Sequence, residues 1–222
     1  MSGSESAGGA PQRGGWTTSV SEPTRLILLR HGQTRASVGR LYSGRGNPSL
    51  TPTGQAQAAG AAALLAATEV DAIVCSPLAR ARETAAEVNV GRGLDVQLDH
   101  GLIETDFGQW EGLTFAQAAA RDPQVHGRWL GDTSVAPPDG ESFDQVHVRV
   151  NEVLRRLLAE YPGGTVVVVS HVTPIKTILR IALDAGPQLL YRLHLDLASI
   201  SVADFYTDGG ASVRLVNRSP QL

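Results

Sequence analysis

Cysteine, methionine and lysine are each represented once in this sequence of 222 residues. With Cys75 as the only thiol, no internal disulfide can form, and we expect a protein of the reducing cytoplasm. No apolar run comes near the roughly 18 residues that a membrane span requires. The N-terminus also lacks the apolar region of a secretory signal. We therefore expect no association with a membrane.

Acidic residues are missing from one long stretch. Between Glu22 and Glu69 there is no aspartate or glutamate, whereas arginine occurs at every fifth position from 25 to 45: Arg25, Arg30, Arg35, Arg40 and Arg45. This stretch is a candidate wall for an anionic ligand. Alternatively, its arginines reflect the base composition of the gene, because 18 of the 19 basic residues are arginine. The formal net charge of −3 gives no general attraction for nucleic acid, and we expect no such partner.

Two parts of the chain differ in composition. Residues 1–24 are rich in glycine, serine and proline and have little to bury, which is typical of a flexible leader or an interdomain linker. From residue 25 onward, apolar and polar segments alternate. A chain of this length can form one sizeable core, so we predict a single domain over 25–222.

Short apolar runs alternate with helical patterns. The run RLILLR at 25–30 is typical of a strand buried on both faces, and VDAIVC and TVVVVS resemble it. A Ser or Thr followed by proline is predicted to open helices at residues 51, 76 and 173. A longer helix is predicted over 142–161 and a hairpin around TDGG at 207–210. These patterns predict a three-layer α/β/α domain whose mixed sheet is mostly parallel, with helices on both faces.

Polar side chains follow three of the predicted strands. Arg30 and His31 end the first, Arg80 comes shortly after the second, and His171 follows TVVVVS. Ligands bind at the carboxyl ends of parallel strands, so these side chains are expected to share one rim. Two guanidinium groups, a second imidazole and helix N-termini suit a phosphoryl dianion.

A histidine at the centre of such a cluster can attack phosphorus, provided that a backbone carbonyl holds its other ring nitrogen. A metal site formed by His31 and His171 is the competing interpretation. The flanking arginines would repel a divalent ion, and no HExxH or paired-carboxylate pattern accompanies the histidines. We therefore predict no metal and no other cofactor.

Other reactive groups remain to be placed. Cysteine phosphatases need five residues between their cysteine and arginine, but four separate Cys75 from Arg80, so Cys75 is predicted to be a small buried residue. An acid must protonate the leaving oxygen. LIETDFGQWEG offers Glu104, Asp106 and Glu111, among which spacing alone does not choose.

Further aromatic and histidine residues receive structural interpretations. His194 is predicted either to pack in the core or to line the pocket, and core packing is favoured. His126 is predicted to lie in a polar loop or short helix. Trp110 and Trp129 are expected in the core or in a lid over the site. The pocket for the leaving group is expected from the loops at 36–47 and 105–142.

Six blocks together resemble the histidine phosphatase superfamily, which includes the phosphoglycerate mutases. They are RHGQT at 30–34, YSGRGNPSLTPTGQAQA at 42–58, SPLARARETA at 76–85, LIETDFGQWEG at 102–112, PDGESF at 138–143 and SHVTPIKTIL at 170–179. The resemblance implies that His31 becomes a phosphohistidine and that Glu104 is the proton donor. It also implies a group of residues that bind the phosphoryl oxygens or line their pocket: Arg30, Thr34, Arg80 and His171. Ser37 stands where many relatives carry asparagine, so one phosphate contact differs.

Within this superfamily, the blocks at 102–112 and 170–179 are most similar to α-ribazole phosphatases of cobalamin assembly. More closely still, the chain resembles the C-terminal acid phosphatase domain of bacterial bifunctional proteins whose N-terminal part is a ribonuclease H, a sequence that is absent here. The resemblance implies metal-independent hydrolysis of a small phosphate monoester, such as α-ribazole 5′-phosphate. A mutase is the first alternative, although the longer basic insertion of mutases is missing between Trp110 and residue 142. A binding module that keeps the pocket without turnover is the second.

Overall fold

A computed structural model describes residues 22–220, so nearly all of the predicted linker lies outside the described residues. Six strands of this part form one sheet in the order β3-β2-β4-β1-β5-β6. The strands are β1 (Thr24–Arg30), β2 (Ala72–Cys75), β3 (Val96–Leu98), β4 (Thr165–Ser170), β5 (Ile200–Phe205) and β6 (Ala211–Arg218). Only β5 runs against its neighbours on both sides, which confirms the mostly parallel mixed sheet and the closing hairpin.

The central strands carry the site. β1 and β4 are parallel neighbours, and their register pairs Arg30 with Ser170. Both strands therefore end at the same edge of the sheet, and the residues that follow them, His31 and His171, leave it side by side. The apolar runs make these strands central, because side chains on both of their faces are buried.

Eight α-helices surround the sheet in the described chain. They are α1 (Arg35–Val38), α2 (Pro52–Leu64), α3 (Ala79–Asn89), α4 (Phe115–Arg121), α5 (Pro123–Trp129), α6 (Phe143–Glu160), α7 (Val172–Ala182) and α8 (Leu189–Arg192). Helices α6 and α7 pack on the sheet face that presents Leu26 and Leu28. Helices α2 and α3 pack on the opposite face, with Ile27 and Leu29. The alternation of side chains along β1 thus divides one apolar run between two cores, and the three-layer prediction is confirmed.

The three predicted helix starts have different outcomes. Thr51 caps α2 as predicted, accepting a hydrogen bond from the Gly54 amide, with proline in the first turn. Helix α3 instead begins at Ala79, after Ser76 and Pro77, and α7 begins one residue before Thr173. These two predictions of the start were wrong. A proline in the first turn of α7 is tolerated because its amide would have no helical acceptor there.

A third cluster, the aromatic cluster, is separate from the two sheet cores and contains Tyr42, Trp110, Trp129, Phe143, Leu190 and their neighbours. Its members come from the loops and short helices that follow β1, from α6 and from α8. Trp110 and Trp129 are buried in it, as predicted. Cys75 is buried against Ile73 and Val169, also as predicted. Within residues 22–220, no helix is long and apolar enough to span a bilayer.

Candidate active site

His31 lies directly after β1 and is only 7% exposed. Its Nδ1 is 2.7 Å from the Gly32 carbonyl oxygen. Because a carbonyl oxygen only accepts, Nδ1 must carry the ring proton, which leaves a lone pair on Nε2. Gly32 is needed here, since a Cβ at this position would lie 2.4 Å from the Gly54 carbonyl oxygen. The local backbone thus prepares His31 as a nucleophile.

His171 lies beside His31, with 5.1 Å between the ring centroids. Its Nδ1 accepts a hydrogen bond of 3.2 Å from Arg80 Nε, so its proton is on Nε2, which donates to Ser76 Oγ at 2.8 Å. Both ring nitrogens of this fully buried histidine are therefore engaged by the protein. In this structure His171 orients Arg80, and its direct contact with a phosphoryl oxygen stays a prediction.

Arg80, on the first turn of α3, is 1% exposed. Besides the bond to His171, its Nη1 donates to the Gly46 carbonyl, and its Nη2 donates to the carbonyls of Ser43 and Gly44. Within the described chain, four of the five N–H donors of Arg80 thus have protein acceptors. The fifth remains for an incoming oxygen. These bonds hold the guanidinium in place before any substrate arrives.

The loop that holds Arg80 is itself held by Glu111. The Glu111 carboxylate accepts hydrogen bonds from three consecutive amides, those of Gly44, Arg45 and Gly46. Amides of the loop therefore face a carboxylate, while its carbonyls face a guanidinium. Of the three acidic residues that the sequence left open, Glu111 supports the arginine and does not line the site.

Arg30 ends β1 and contributes the second guanidinium. Its Nη1 donates to the Leu195 carbonyl at 2.6 Å. Its Nε is buried and has no hydrogen-bond partner in the described chain. A buried N–H without an acceptor is costly. This donor is therefore the group on Arg30 that would gain most from a bound phosphoryl oxygen.

Glu104 is the acidic residue that lies in the site. The N-terminus of α7 holds its carboxylate: the amides of Val172 and Thr173 donate to it, as does the amide of Thr105. Arg149 orients the same segment by donating to the backbone carbonyls of Gly101, Ile103 and Glu104. Asp106, by contrast, forms an exposed ion pair with Arg45. Of the three acidic residues, Glu104 is therefore the one whose carboxylate lies in the cavity, and its role as the proton donor stays a prediction.

Thr34 and Ser37 form a capping box at the start of α1. Thr34 Oγ1 accepts from the Ser37 amide, while Ser37 Oγ accepts from the Thr34 amide and donates to the Thr34 carbonyl. Both side chains also line the cavity beside His31. The serine that stands in place of the family asparagine thus stabilises the turn after the nucleophile.

A cavity of about 740 Å³ opens over His31. Arg30, His31, Arg80 and Glu104 line its inner end. Side chains from the predicted loops, including Tyr42, Phe107, Phe115 and Trp129, form its walls. These side chains belong to the two loops from which a leaving-group pocket was predicted, and the use of the cavity for a leaving group stays a prediction.

Sequence reasoning missed part of the cavity wall. Lys176 also lines it, as do four residues near α8: Leu190, Tyr191, His194 and Leu195. Lys176 Nζ donates to the Leu190 carbonyl at 2.7 Å. The side chain of His194 is 79% exposed, so the favoured prediction of core packing was wrong, and the alternative, that His194 lines the pocket, is confirmed. His126 lies in the short helix α5, as predicted, where it is buried and bonded to the Tyr42 hydroxyl. The signal for Lys176 was its position one turn after His171.

The arginines of the acid-free stretch have different roles. Arg30 and Arg40 line the cavity. Arg25 pairs with Asp204, and Arg45 with Asp106. The predicted basic wall is therefore built by two of the five arginines. In residues 22–220, no three side chains of His, Cys, Asp and Glu lie close enough together to hold a metal ion.

Burial determines the charge of the two central histidines. It lowers the pKa of His31 well below its ordinary value, and the positive charges of Arg30 and Arg80 lower it further. Burial and the Arg80 charge lower the pKa of His171 in the same way. Both rings are therefore neutral at pH 7, and His31 is ready to attack.

This burial predicts how stability changes with pH. In the unfolded chain the pKa of both histidines is about 6.5. As the pH falls toward and below this value, the unfolded state therefore binds more protons than the folded state. The free energy of unfolding should therefore fall as the pH falls, by about 2 kcal/mol or more between pH 7.5 and 5.5. Urea unfolding at the two pH values measures this. His31→Asn should remove about half of the fall in the free energy of unfolding that these two histidines cause. If the free energy of unfolding of the parent protein were the same at both pH values, the two histidines would not be buried in the neutral form.

With this geometry in place, comparison with known proteins identifies the family. A model of the histidine phosphatase superfamily, branch 1, matches residues 26–218. The chain belongs to this superfamily. Relatives that are named phosphatases match most of its length.

Three similar proteins illustrate the relationship. A bifunctional protein of Mycobacterium tuberculosis is 58% identical over 214 residues, which make up 96% of this chain and 59% of that protein. The chain thus spans about three fifths of that relative. An adenosylcobalamin/α-ribazole phosphatase of Escherichia coli is 31% identical over 87% of this chain and 95% of its own. The structure of a mycobacterial glucosyl-3-phosphoglycerate phosphatase matches with a TM-score of 0.81 and 31% identity, over 88% of this chain and 99% of that chain.

Proposed function

We propose that this domain hydrolyses phosphate monoesters through a phosphohistidine on His31. One observation carries the proposal: the hydrogen bond from Nδ1 to the Gly32 carbonyl leaves Nε2 unprotonated in a cavity that Arg30 and Arg80 line. A neutral imidazole between fixed positive charges suits attack on a phosphoryl dianion.

In the first step, the phosphoryl group binds among Arg30, Arg80 and His31. A bond forms between Nε2 and phosphorus as the bond from phosphorus to the ester oxygen breaks. Glu104, in its protonated form, gives its proton to that oxygen, and the alcohol leaves. The arginines neutralise charge on the transferring group, which is the main task that phosphoryl transfer sets a protein.

In the second step, water enters the place of the alcohol. The Glu104 carboxylate takes a proton from this water as its oxygen bonds to phosphorus, and the bond between phosphorus and Nε2 breaks. Inorganic phosphate leaves and His31 is again neutral. No metal takes part in either step.

The substrate we propose is α-ribazole 5′-phosphate or a similar small ester. The cavity of about 740 Å³ has room for an alcohol of that size, and ring systems on its wall would contact a flat aromatic base. The name of the Escherichia coli relative gives independent support for this class of substrate.

A panel of phosphate monoesters, including α-ribazole 5′-phosphate and phosphoglycerates, tests the proposal. We expect release of inorganic phosphate, equal rates with and without a chelator, and an acid-labile phosphoprotein after rapid quenching. Isomerised phosphoglycerate in place of inorganic phosphate would identify a mutase. Binding of phosphate or vanadate without turnover of any ester would identify a binding module.

Glu104→Gln separates the role of the acid from that of the nucleophile. The variant keeps the size and one oxygen of the side chain but cannot transfer the proton. Turnover of an alkyl phosphate should fall by about 10²- to 10⁴-fold, because its alkoxide is a poor leaving group. With 4-nitrophenyl phosphate, the formation of the phosphohistidine should fall much less. Equal losses of burst rate for both esters would argue against proton donation by Glu104.

A further inference from the structure

Arg40 occupies a backbone position that normally belongs to glycine. Helix α1 ends at Val38, and the Leu41 amide bonds to the Ala36 carbonyl while the Arg40 amide bonds to the Ser37 carbonyl. This is the Schellman pattern of helix termination, in which the residue at C′ adopts a left-handed conformation. Arg40 is that residue, with φ of 52°. A large side chain is disfavoured there, so its presence calls for a role of the side chain itself.

The side chain of Arg40 lies where two cavities meet. It lines the active-site cavity and also a neighbouring cavity of about 390 Å³. The two cavities share part of their walls, including Arg30, Ser37 and His194. A substrate held at His31 could therefore extend past Arg40 into the second cavity.

Arg40 has no charged partner among the described residues. Within residues 22–220, its exposed guanidinium has no carboxylate partner and no hydrogen bond. Arginines outside the cavity differ: Arg45 pairs with Asp106 and Glu141, and Arg149 pairs with Glu141. In the described part of the chain, the charge of Arg40 is thus left for a ligand.

Acidic groups near Arg40 are already engaged. The described residues that line the two cavities include two carboxylates, Glu104 and Asp196. The α7 N-terminus holds Glu104, whereas the Asp196 carboxylate accepts hydrogen bonds from His194 and Asn217. Neither carboxylate pairs with Arg40.

From these observations we infer that Arg40 is a specificity-determining residue that binds a second anionic group of the substrate, a carboxylate or a further phosphate, on the leaving alcohol. This inference rests on the proposed hydrolysis through His31. Among small esters it favours those whose alcohol carries a second anion, a group that α-ribazole lacks. An arginine presents paired N–H donors that match either group. Esters with this second anion should be hydrolysed in preference to neutral analogues of the same shape.

A matched pair of esters tests the inference: phenyl phosphate and 4-carboxyphenyl phosphate, which differ by one carboxylate. The parent protein should prefer the carboxylated ester in kcat/KM. Arg40→Asn removes the charge, and asparagine tolerates the left-handed backbone. The variant should lose about tenfold of that preference, measured as the ratio of the two kcat/KM values.

Two control variants and one binding measurement complete the test. Arg40→Lys keeps the charge and should retain most of the preference, and Arg35→Gln removes an exposed arginine of α1 that lines neither cavity and should retain all of it. The affinities of phenylphosphonate and 4-phosphonobenzoate, measured by calorimetry on the same proteins, report on Arg40 without turnover. An equal preference in the parent protein and Arg40→Asn, in rates or in affinities, would overturn the inference. Absence of turnover with normal discrimination in binding would instead count against the proposed hydrolysis.

Discussion

His31→Ala should lower the turnover of every phosphate monoester by on the order of 10⁴-fold or more, and no acid-labile phosphoprotein should form. The reason is that Nε2 of this ring is the atom that we propose to bond to phosphorus, and alanine offers no replacement. The measurement is steady-state hydrolysis together with rapid-quench trapping of the phosphoprotein. Thermal unfolding of the variant verifies that it is folded.

The matched control for this variant is His194→Ala. This histidine lines the same cavity, but its side chain is exposed and its Nε2 bonds to the Asp196 carboxylate. It should lose no more than a few-fold in kcat, and the phosphoprotein should still form. Normal turnover by His31→Ala, or loss of the phosphoprotein only in His194→Ala, would refute the assignment of the nucleophile.

Arg80→Lys should lower kcat/KM by about 10²- to 10³-fold although the charge is retained. Lysine has three donors around one nitrogen and cannot bond at once to His171, to the carbonyls of the loop at 43–46 and to the phosphoryl group. Affinity for inorganic phosphate, measured by calorimetry, should fall in parallel. We expect these losses because lysine lacks the several N–H groups of the guanidinium, not because a charge is lost.

Arg82→Lys provides the comparison on the same helix. Arg82 lies two residues further along α3 and is exposed, so this variant should keep the parent kcat/KM within about twofold. The free energy of unfolding of both variants separates a loss of structure from a loss of binding. Similar kcat/KM for Arg80→Lys and the parent protein would show that the fork is unimportant.

Much of the fold could be predicted from local patterns. The apolar runs of β1 and β4 are too uniform for a sheet with one wet face, and that feature alone indicates central parallel strands. Helix α6 was predictable because apolar residues recur at helical spacing and Ser142 forms a capping box with Gln145. The starts of α3 and α7 were not, because tertiary contacts decide which residue of a polar loop begins the first turn.

Four residues of the candidate site, Arg30, His31, Arg80 and His171, were predictable because each follows a recognisable strand. Glu104 was singled out among three acidic residues only by the family resemblance. What sequence could not supply is the set of partners each residue has. His171 is held by Arg80 and Ser76, and Glu111 acts on a loop that precedes it by more than sixty residues. Such contacts depend on how distant loops meet at the sheet edge, which no local pattern encodes. The misplacement of His194 has the same origin.

The register between β1 and β4 has a consequence for the order in which denaturant would abolish the proposed activities. Opening of the backbone around His31 and His171 requires separation of two central strands, so amide exchange there should follow global unfolding. The walls of the cavity come instead from short helices and loops, which can open locally. As denaturant is added, the specificity for the alcohol of the ester should therefore be lost before phosphoryl transfer itself.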